Sequence, residues 1–379
     1  MYISRKISFR AKAFYLLLGF GIVFSLSIVP VYAGSFTVTN YSSGGDGSLS
    51  DAIDDLNSSG VSGSITFNES SSSGTIDMSG YTTSLGFETT FNPASYDVTL
   101  TNYVGGCTSW TNITGATTGV LNIGSGSTWS NTWGLVIGKT TTGALTVSNG
   151  ADLTVSNGGV FIASEGADAV GTLTVTGSGS TLTNAADLNV GNSGDGTLTV
   201  SAGGVFTNTT DLYVADDTGS TGTLTVTGSG STLTGRDLYI GNYGSYALTV
   251  SNGGSLSGSF VALGYHSASS GTAIVTGAGS SFTASSGMYI GYDGDCTMTI
   301  SAGADVTTDE GYIGSNSGSN STLNVTGAGS TFASNNSLYV GCWDTGALNI
   351  SDGAAVSNTA GVVGRGGAAT GTVAISGSG

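Results

Sequence analysis

The chain has 379 residues, including 65 glycines and only two prolines, with 24 acidic against seven basic side chains. The glycines follow no Gly-X-Y period, which excludes collagen, and recurring Leu, Val and Ile alternations exclude a disordered chain. Four of the basic residues lie within the first 33 positions, so three face 24 acids over the rest, a balance that repels nucleic acid and anionic lipid.

Residues 1–33 read as a secretory signal peptide. Arg5, Lys6, Arg10 and Lys12 form a positive start, Ala13 to Val29 is apolar, and Val31-Tyr32-Ala33 offers a cleavage site before Gly34. The apolar run is also long enough for a retained membrane anchor, the competing reading. Removal of the leader implies export.

Residues 34–118 are expected to form an N-terminal cap and first β-helix rungs. Phe36-Thr37-Val38-Thr39 and Ile65-Thr66-Phe67 read as strands. Between them, Ser48-Leu49-Ser50-Asp51 has the spacing of a helix-capping box, followed by Ala52, Ile53 and Leu56 at helical spacing. A short helix there would cover an open sheet edge that otherwise invites aggregation.

Residues 119–379 are a repeat. Units open at Gly119, Gly143, Gly171, Gly196, Gly222, Tyr246, Gly271, Cys296, Ser321, Gly346 and Gly371, and eight of the ten intervals are 24 or 25 residues. A period of that size signals a solenoid, in which equivalent positions stack. The unit at Gly222 contains three short alternating runs, Leu224-Thr225-Val226, Ser231-Thr232-Leu233-Thr234 and Asp237-Leu238-Tyr239-Ile240, separated by turn residues. Three strands per rung predict parallel stacking, with Leu173, Leu198, Leu224 and Leu248 inside and Thr174, Thr199, Thr225 and Thr249 outside. The fold class is therefore all-β: a right-handed parallel β-helix (β-solenoid) of about ten 25-residue rungs with an N-terminal cap. Ten rungs at ~4.8 Å extend roughly 48 Å. Units also alternate between a Thr-Gly-Ser-Gly-Ser-Thr-Leu form (Thr176 to Leu182, Thr227 to Leu233) and a Gly-Gly or Gly-Ala form (Ser201 to Phe206, Ser251 to Leu256). Alternating turn shape or duplication of a two-rung module would each produce this. The last unit, opening at Gly371, has only nine residues, so the array is read as truncated at its C-terminus.

The Gly-Thr-Leu-Thr-Val-Thr-Gly-Ser-Gly-Ser-Thr-Leu and Asp-Leu-Tyr-Val-Gly-like segments resemble a bacterial repeat family of autotransporter (type V secretion) passengers and proteins with a PEP-CTERM sorting tail. Phe36-Thr-Val-Thr-Asn40, Gly47-Ser-Leu49, Ala52-Ile53 and Ile65-Thr-Phe67 are similar to the N-terminal stretch of many bacterial surface β-helix proteins. The resemblance implies a parallel β-helix displayed on, or released from, a Gram-negative-type cell. It carries over no catalytic residue. The sequence contains neither the C-terminal membrane β-barrel nor the sorting tail, so a membrane link is expected only through a missing C-terminal anchor.

Among candidate sites, Tyr213, Tyr239, Tyr289, Tyr312 and Tyr339 occupy the same late strand of their units and should form an outward aromatic stripe. It reads as a sugar-binding or adhesive face, or as cross-strand support worth ~0.2–1 kcal/mol per pair. Asp187, Asp211 and Asp237 precede that strand as an acidic column. A hydrolase would need two such carboxylates at ~5–9.5 Å; aspartates that bond turn amides explain them more simply. His266, the only histidine, reads as a solvated loop residue. Asn192-Ser193-Gly194-Asp195-Gly196, Asp216-Asp217 and Asp293-Gly294-Asp295 read as turns rather than calcium loops. Cys296 and Cys342 fall about two rungs, ~9.6 Å, apart, beyond the reach of a disulfide.

The expected function is an exported cell-surface or extracellular adhesin or spacer with no catalytic residues, metal or cofactor. Its expected partners are surface glycans, matrix polysaccharide or further copies meeting at the open end. A polysaccharide-active hydrolase or lyase is the alternative.

Overall fold

A computed structural model of the chain describes residues 120–316, 318–367 and 369–377 and, before them, the segments 34–38, 49–59, 63–67, 74–77, 82–85, 89–92, 98–101, 104–107, 109 and 111–114. Residues 1–33, expected to be a signal peptide, lie outside the described residues. No helix among those described is long and apolar enough to cross a membrane.

The described chain is a parallel β-solenoid. First strands of successive rungs form a 13-stranded sheet running from Gly74–Asp77 to Thr370–Ser376. Second and third strands share a 23-stranded sheet, because in three rungs they run on as one strand: Ser255–Leu263, Ser281–Ile290 and Asp305–Ile313. The register follows the repeat openings residue for residue. Leu145, Leu173, Leu198, Leu224 and Leu248 stack in one column, and Val147, Val175, Val200, Val226 and Val250 in the next. All ten are at most 2 % exposed, while the threonines between them point outward and are half-buried. Each Leu or Val so buried is worth about 1.5–3 kcal/mol over its exposed state, which only stacking supplies.

The coil reaches further back than Gly119, where the repeat becomes recognisable. Gly74–Asp77 pairs with Val98–Thr101, which pairs with Leu121–Ile123. The third-strand column continues from Leu135 through Thr111, Thr89 and Gly63 to Gly34. These early strands are mostly three to five residues long and lack the Gly-Thr-Leu-Thr-Val wording, yet pair in the same pattern. Helix α1, Leu49–Ser59, stands in the chain where the first and second strands of the earliest rung would fall. It packs against Gly34–Val38, Gly63–Phe67 and Thr82–Leu85. Leu49, Ala52, Ile53 and Leu56 are buried with Ile65 in the common core. Among the described residues Gly74–Asp77 and Thr82–Leu85 have no earlier strand neighbour, so the helix lies where it shields that end.

At several openings glycine is a packing requirement, although Tyr246, Cys296 and Ser321 open other rungs. A Cβ on Gly196 would overlap the backbone nitrogen of Gly191, and one on Gly346 the carbonyl of Ile313. Where the opening residue is Tyr246, the ring is buried over the side-chain-free Gly271, with its hydroxyl 3.4 Å from the carbonyl of Asp295. Cys107, Cys296 and Cys342 are all buried thiols.

Turn shape alternates strictly from rung to rung. One kind places two glycines at positive φ around a serine or alanine, as at Gly177 (89°) and Gly179 (83°) around Ser178 and at Gly277 (91°) and Gly279 (80°) around Ala278. The other places two consecutive residues there: Asn149-Gly150, Ala202-Gly203, Asn252-Gly253, Ala302-Gly303 and Asp352-Gly353. A buried serine couples the two kinds. The hydroxyls of Ser180, Ser231, Ser280 and Ser330 accept the N–H groups of Gly150, Gly203, Gly253 and Gly303 in the preceding rung at 2.9–3.0 Å. Ser231 and Ser280 also donate to the carbonyls of Thr227 and Thr276 at 2.7 Å. The two-rung superperiod is thus a hydrogen-bonded interlock.

Candidate functional site

The third strand of each rung turns its alternate residues outward. In Leu212–Val214 the flanking residues are buried and Tyr213 is half-exposed; Leu238–Ile240 repeats this around Tyr239. Parallel register aligns Tyr213, Tyr239, Ala262, Tyr289, Tyr312 and Tyr339 in one column, so all five expected tyrosines share a face. Their rings stack: Tyr213 on Tyr239 at 5.1 Å, Tyr289 on Tyr312 at 4.4 Å, and Tyr312 on Tyr339 at 4.8 Å, with interplanar angles of 8°, 0° and 11°.

Ala262 leaves a gap in the column, and three residues that the sequence reading did not include fill it. Phe260 lies 5.7 Å from Tyr239 and 5.2 Å from Tyr289. Tyr265 meets Tyr239 edge-on at 4.8 Å and stacks on Tyr292 at 5.0 Å; Tyr292 in turn meets Tyr289 at 5.2 Å. Of the three, Phe260 alone carried a strand-period signal in the sequence. Phe260 stands two residues before Ala262, hence on the same strand face, while Tyr265 and Tyr292 each follow a glycine that ends a third strand. Each aromatic pair contributes about 0.5–1.5 kcal/mol beyond its buried area, so the column strengthens the coil as well as decorating it. Because the rings stack along the coil axis, their flat faces cover one another, and edges and hydroxyls meet solvent.

Toward the N-terminus the column continues through Asn189 and Phe161 to Val136. Beside Val136 and Phe161 opens a groove of about 320 Å³, flanked by Lys139 and Glu165, whose charged atoms are 3.5 Å apart.

A second column, of acids, runs parallel to the first. Asp211, Asp237 and Glu310 each precede their tyrosine by two residues and therefore share its face. The Tyr312 hydroxyl donates to Glu310 Oε2 at 2.7 Å. Arg236 grips Asp211 with two bonds of 2.9 and 2.8 Å and lies 3.8 Å from Asp237. Asp237 Oδ1 also accepts the Phe260 N–H at 3.1 Å, an amide within the strand Ser255–Leu263 rather than the turn amide expected of these aspartates. Buried asparagines hold the corner that leads into this column: Asn184 Nδ2 donates to the carbonyls of Ala186 and Asp187, and Asn208 Nδ2 to those of Thr210 and Asp211.

Burial and these carboxylates act on the phenols in the same direction. Tyr213 is pushed up to about 12 by burial and then by Asp211. Tyr312 rises further, through burial and its bond to Glu310. Tyr239, Tyr265 and Tyr289 are raised, with burial the leading cause. These five phenols thus hold their protons to higher pH than a free tyrosine does.

His266 lies in the turn expected of it but is half-buried rather than fully solvated. Its ring stacks on Tyr243 at 3.9 Å and meets Tyr265 edge-on at 4.7 Å, because the same turn of adjacent rungs carries Tyr243 below it. The acidic turns are bracketed by amides across rungs. Asp216 accepts from Asn192 at 3.0 Å and Asn242 at 2.6 Å, and Asp293 from Asn316 at 2.8 Å. Burial raises the Asp216 carboxyl despite those bonds. Among the described residues no group of three or more His, Cys, Asp or Glu side chains is arranged to hold a metal ion. Comparisons with protein-family models, with curated proteins and with solved structures found no match.

Proposed function

We propose that this chain is an exported bacterial surface or extracellular protein of the autotransporter-passenger or PEP-CTERM-associated kind. It works as a rigid spacer whose lateral aromatic face is adhesive, and it performs no catalysis. The observation that carries this reading is the aromatic column, held in register from Tyr213 to Tyr339 and closed over its one gap by Phe260, Tyr265 and Tyr292. Repetition on equivalent positions suits multivalent attachment, in which many weak contacts along a rod sum to firm adhesion. The leader, with its basic start and cleavage site, supports export. The hydrolase alternative needs two carboxylates free to act on one bond, whereas Asp211 is held by Arg236 and Asp237 by the Phe260 amide.

The test replaces Tyr213, Tyr239, Tyr289, Tyr312 and Tyr339 together by serine and measures attachment of the purified chain to bacterial and host cell surfaces and to immobilised glycans. Attachment should fall at least roughly tenfold, as expected when several contacts of a multivalent surface are lost, with the β-sheet circular dichroism retained. Undiminished attachment by a folded variant would refute the adhesive face.

A further inference from the structure

After residue 33 the chain has three basic side chains, Lys139, Arg236 and Arg365, and all three settle on this one side of the coil. Lys139 follows the third strand Leu135–Ile137 and pairs with Glu165. Arg236 precedes the third strand Leu238–Ile240 and forks onto Asp211. Arg365 follows the third strand Ala360–Val363 and lies over the Tyr339 ring, 5.1 Å from its centroid. The two arginines display the two principal ways of holding a guanidinium: a planar fork on a carboxylate, and a flat cation against an aromatic ring. The carboxylate partner recurs along the face where the chain has no arginine of its own, beside tyrosine hydroxyls whose oxygens also accept a guanidinium N–H. Asp187 and Glu310 extend the acid column on either side of Arg236, and Tyr265, Tyr289 and Tyr292 lie between them. The raised phenols of Tyr213 and Tyr239, with acids among the causes, report the same negative surroundings.

We propose that this face binds an extended, arginine-rich peptide segment of another protein, laid along the coil axis, with guanidinium groups on the carboxylates that Arg236 leaves unfilled and on the tyrosine hydroxyl oxygens that meet solvent between them. The inference rests on the adhesive reading and narrows it to a basic peptide. Charge complementarity favours this occupant, since the chain is strongly acidic and Arg236 already demonstrates the fork on Asp211. Length fits as well. Asp187 and Glu310 are separated by five rungs, roughly 24 Å at ~4.8 Å each, which about seven residues of extended peptide span. Arginine is preferred over lysine because a compact ammonium does not make the fork.

The test titrates fluorescein-labelled hepta-arginine and hepta-lysine into the purified chain and reads fluorescence anisotropy at low and physiological salt. Two double variants remove equal charge. Asp187→Asn with Glu310→Gln alters the proposed face. Asp152→Asn with Asp305→Asn alters second strands, where each carboxylate accepts a threonine hydroxyl that an asparagine carbonyl also accepts. Hepta-arginine should bind more tightly than hepta-lysine. The face pair should weaken it roughly tenfold and the control pair less than about twofold, the separation expected between charge-assisted contacts and distant screened charge. Equal weakening by both pairs, equal affinity for both peptides, or no binding would each overturn the proposal. If hepta-arginine fails while the five-serine variant still loses surface attachment, the face is adhesive toward another chemistry. If attachment also survives that variant, the adhesive reading falls with it.

Discussion

Replacing Ser231 by alanine tests whether the two kinds of turn depend on one another. The Ser231 hydroxyl is fully buried, accepts the Gly203 N–H at 2.9 Å and donates to the Thr227 carbonyl at 2.7 Å. Alanine leaves a donor without its acceptor, a loss of about 1–3 kcal/mol when the group is buried. Gly203 is itself half-buried, so water offers partial relief and the expected cost is about 1–2 kcal/mol. The comparison is Ser229→Ala, which removes an exposed hydroxyl from the same turn and should change stability by less than about 0.5 kcal/mol. Whole-chain denaturation is a poor readout, since long repeat arrays lose two-state behaviour and a local defect is diluted. Hydrogen–deuterium exchange of the peptide containing Gly203 reads the defect where it arises. Exchange should accelerate roughly fivefold to thirtyfold in Ser231→Ala, a factor of ten corresponding to about 1.4 kcal/mol. Equal protection in the two variants would refute the interlock, because the hydroxyl would then be dispensable to the turn below it.

Two further outcomes follow from the buried phenols and thiols. A tyrosine whose folded pKa is raised contributes stability that is complete below its unfolded value near ~10 and lost as pH climbs through the folded value. With Tyr213 pushed up to about 12 and Tyr239, Tyr265, Tyr289 and Tyr312 raised as well, the coil should weaken above about pH 10. Its native phenolate absorbance should rise later than that of the guanidinium-unfolded chain, and superimposable titration curves would contradict the burial argument. Cys296 is fully buried, and burial pushes its thiol up to about 12 against the opposing effect of the Tyr246 hydrogen bond. Native protein should therefore leave Cys107, Cys296 and Cys342 unreacted with a thiol reagent that labels all three in denaturant; rapid native labelling would show that the coil opens.

Much of the coil was legible because its first strand is nearly restated at each turn, so Leu145, Leu173 and Leu198 align from sequence as they do in register. The earlier rungs were harder to read. Val98–Thr101 and Gly74–Asp77 are held by the same pairing geometry, but four residues with a shared alternation carry too little wording to announce a repeat. The helix at Leu49–Ser59 was legible from its capping spacing and from the apolar positions that now face the core. The tyrosine column followed from strand alternation, but its completion did not. Ala262 interrupts the pattern, and the replacement rings come from an extra outward position and from turns, whose side-chain directions no strand period dictates. Arg236 was similarly opaque: its engagement of Asp211 crosses 25 residues and depends on which rung lies beneath.

The serine clasp between unlike turns gives the coil a parity. Excising one rung would bring two turns of the same kind together, leaving either a glycine amide without its hydroxyl or a hydroxyl without its amide. Excising two restores unlike neighbours, as when the rung that opens at Tyr246 is joined directly to the one that ends before Gly196. A lineage that lengthens or shortens this rod by slippage of its repetitive coding sequence therefore meets least resistance in steps of an even number of rungs. The reach of the molecule is quantised at roughly 9.6 Å, twice the ~4.8 Å spacing of its strands.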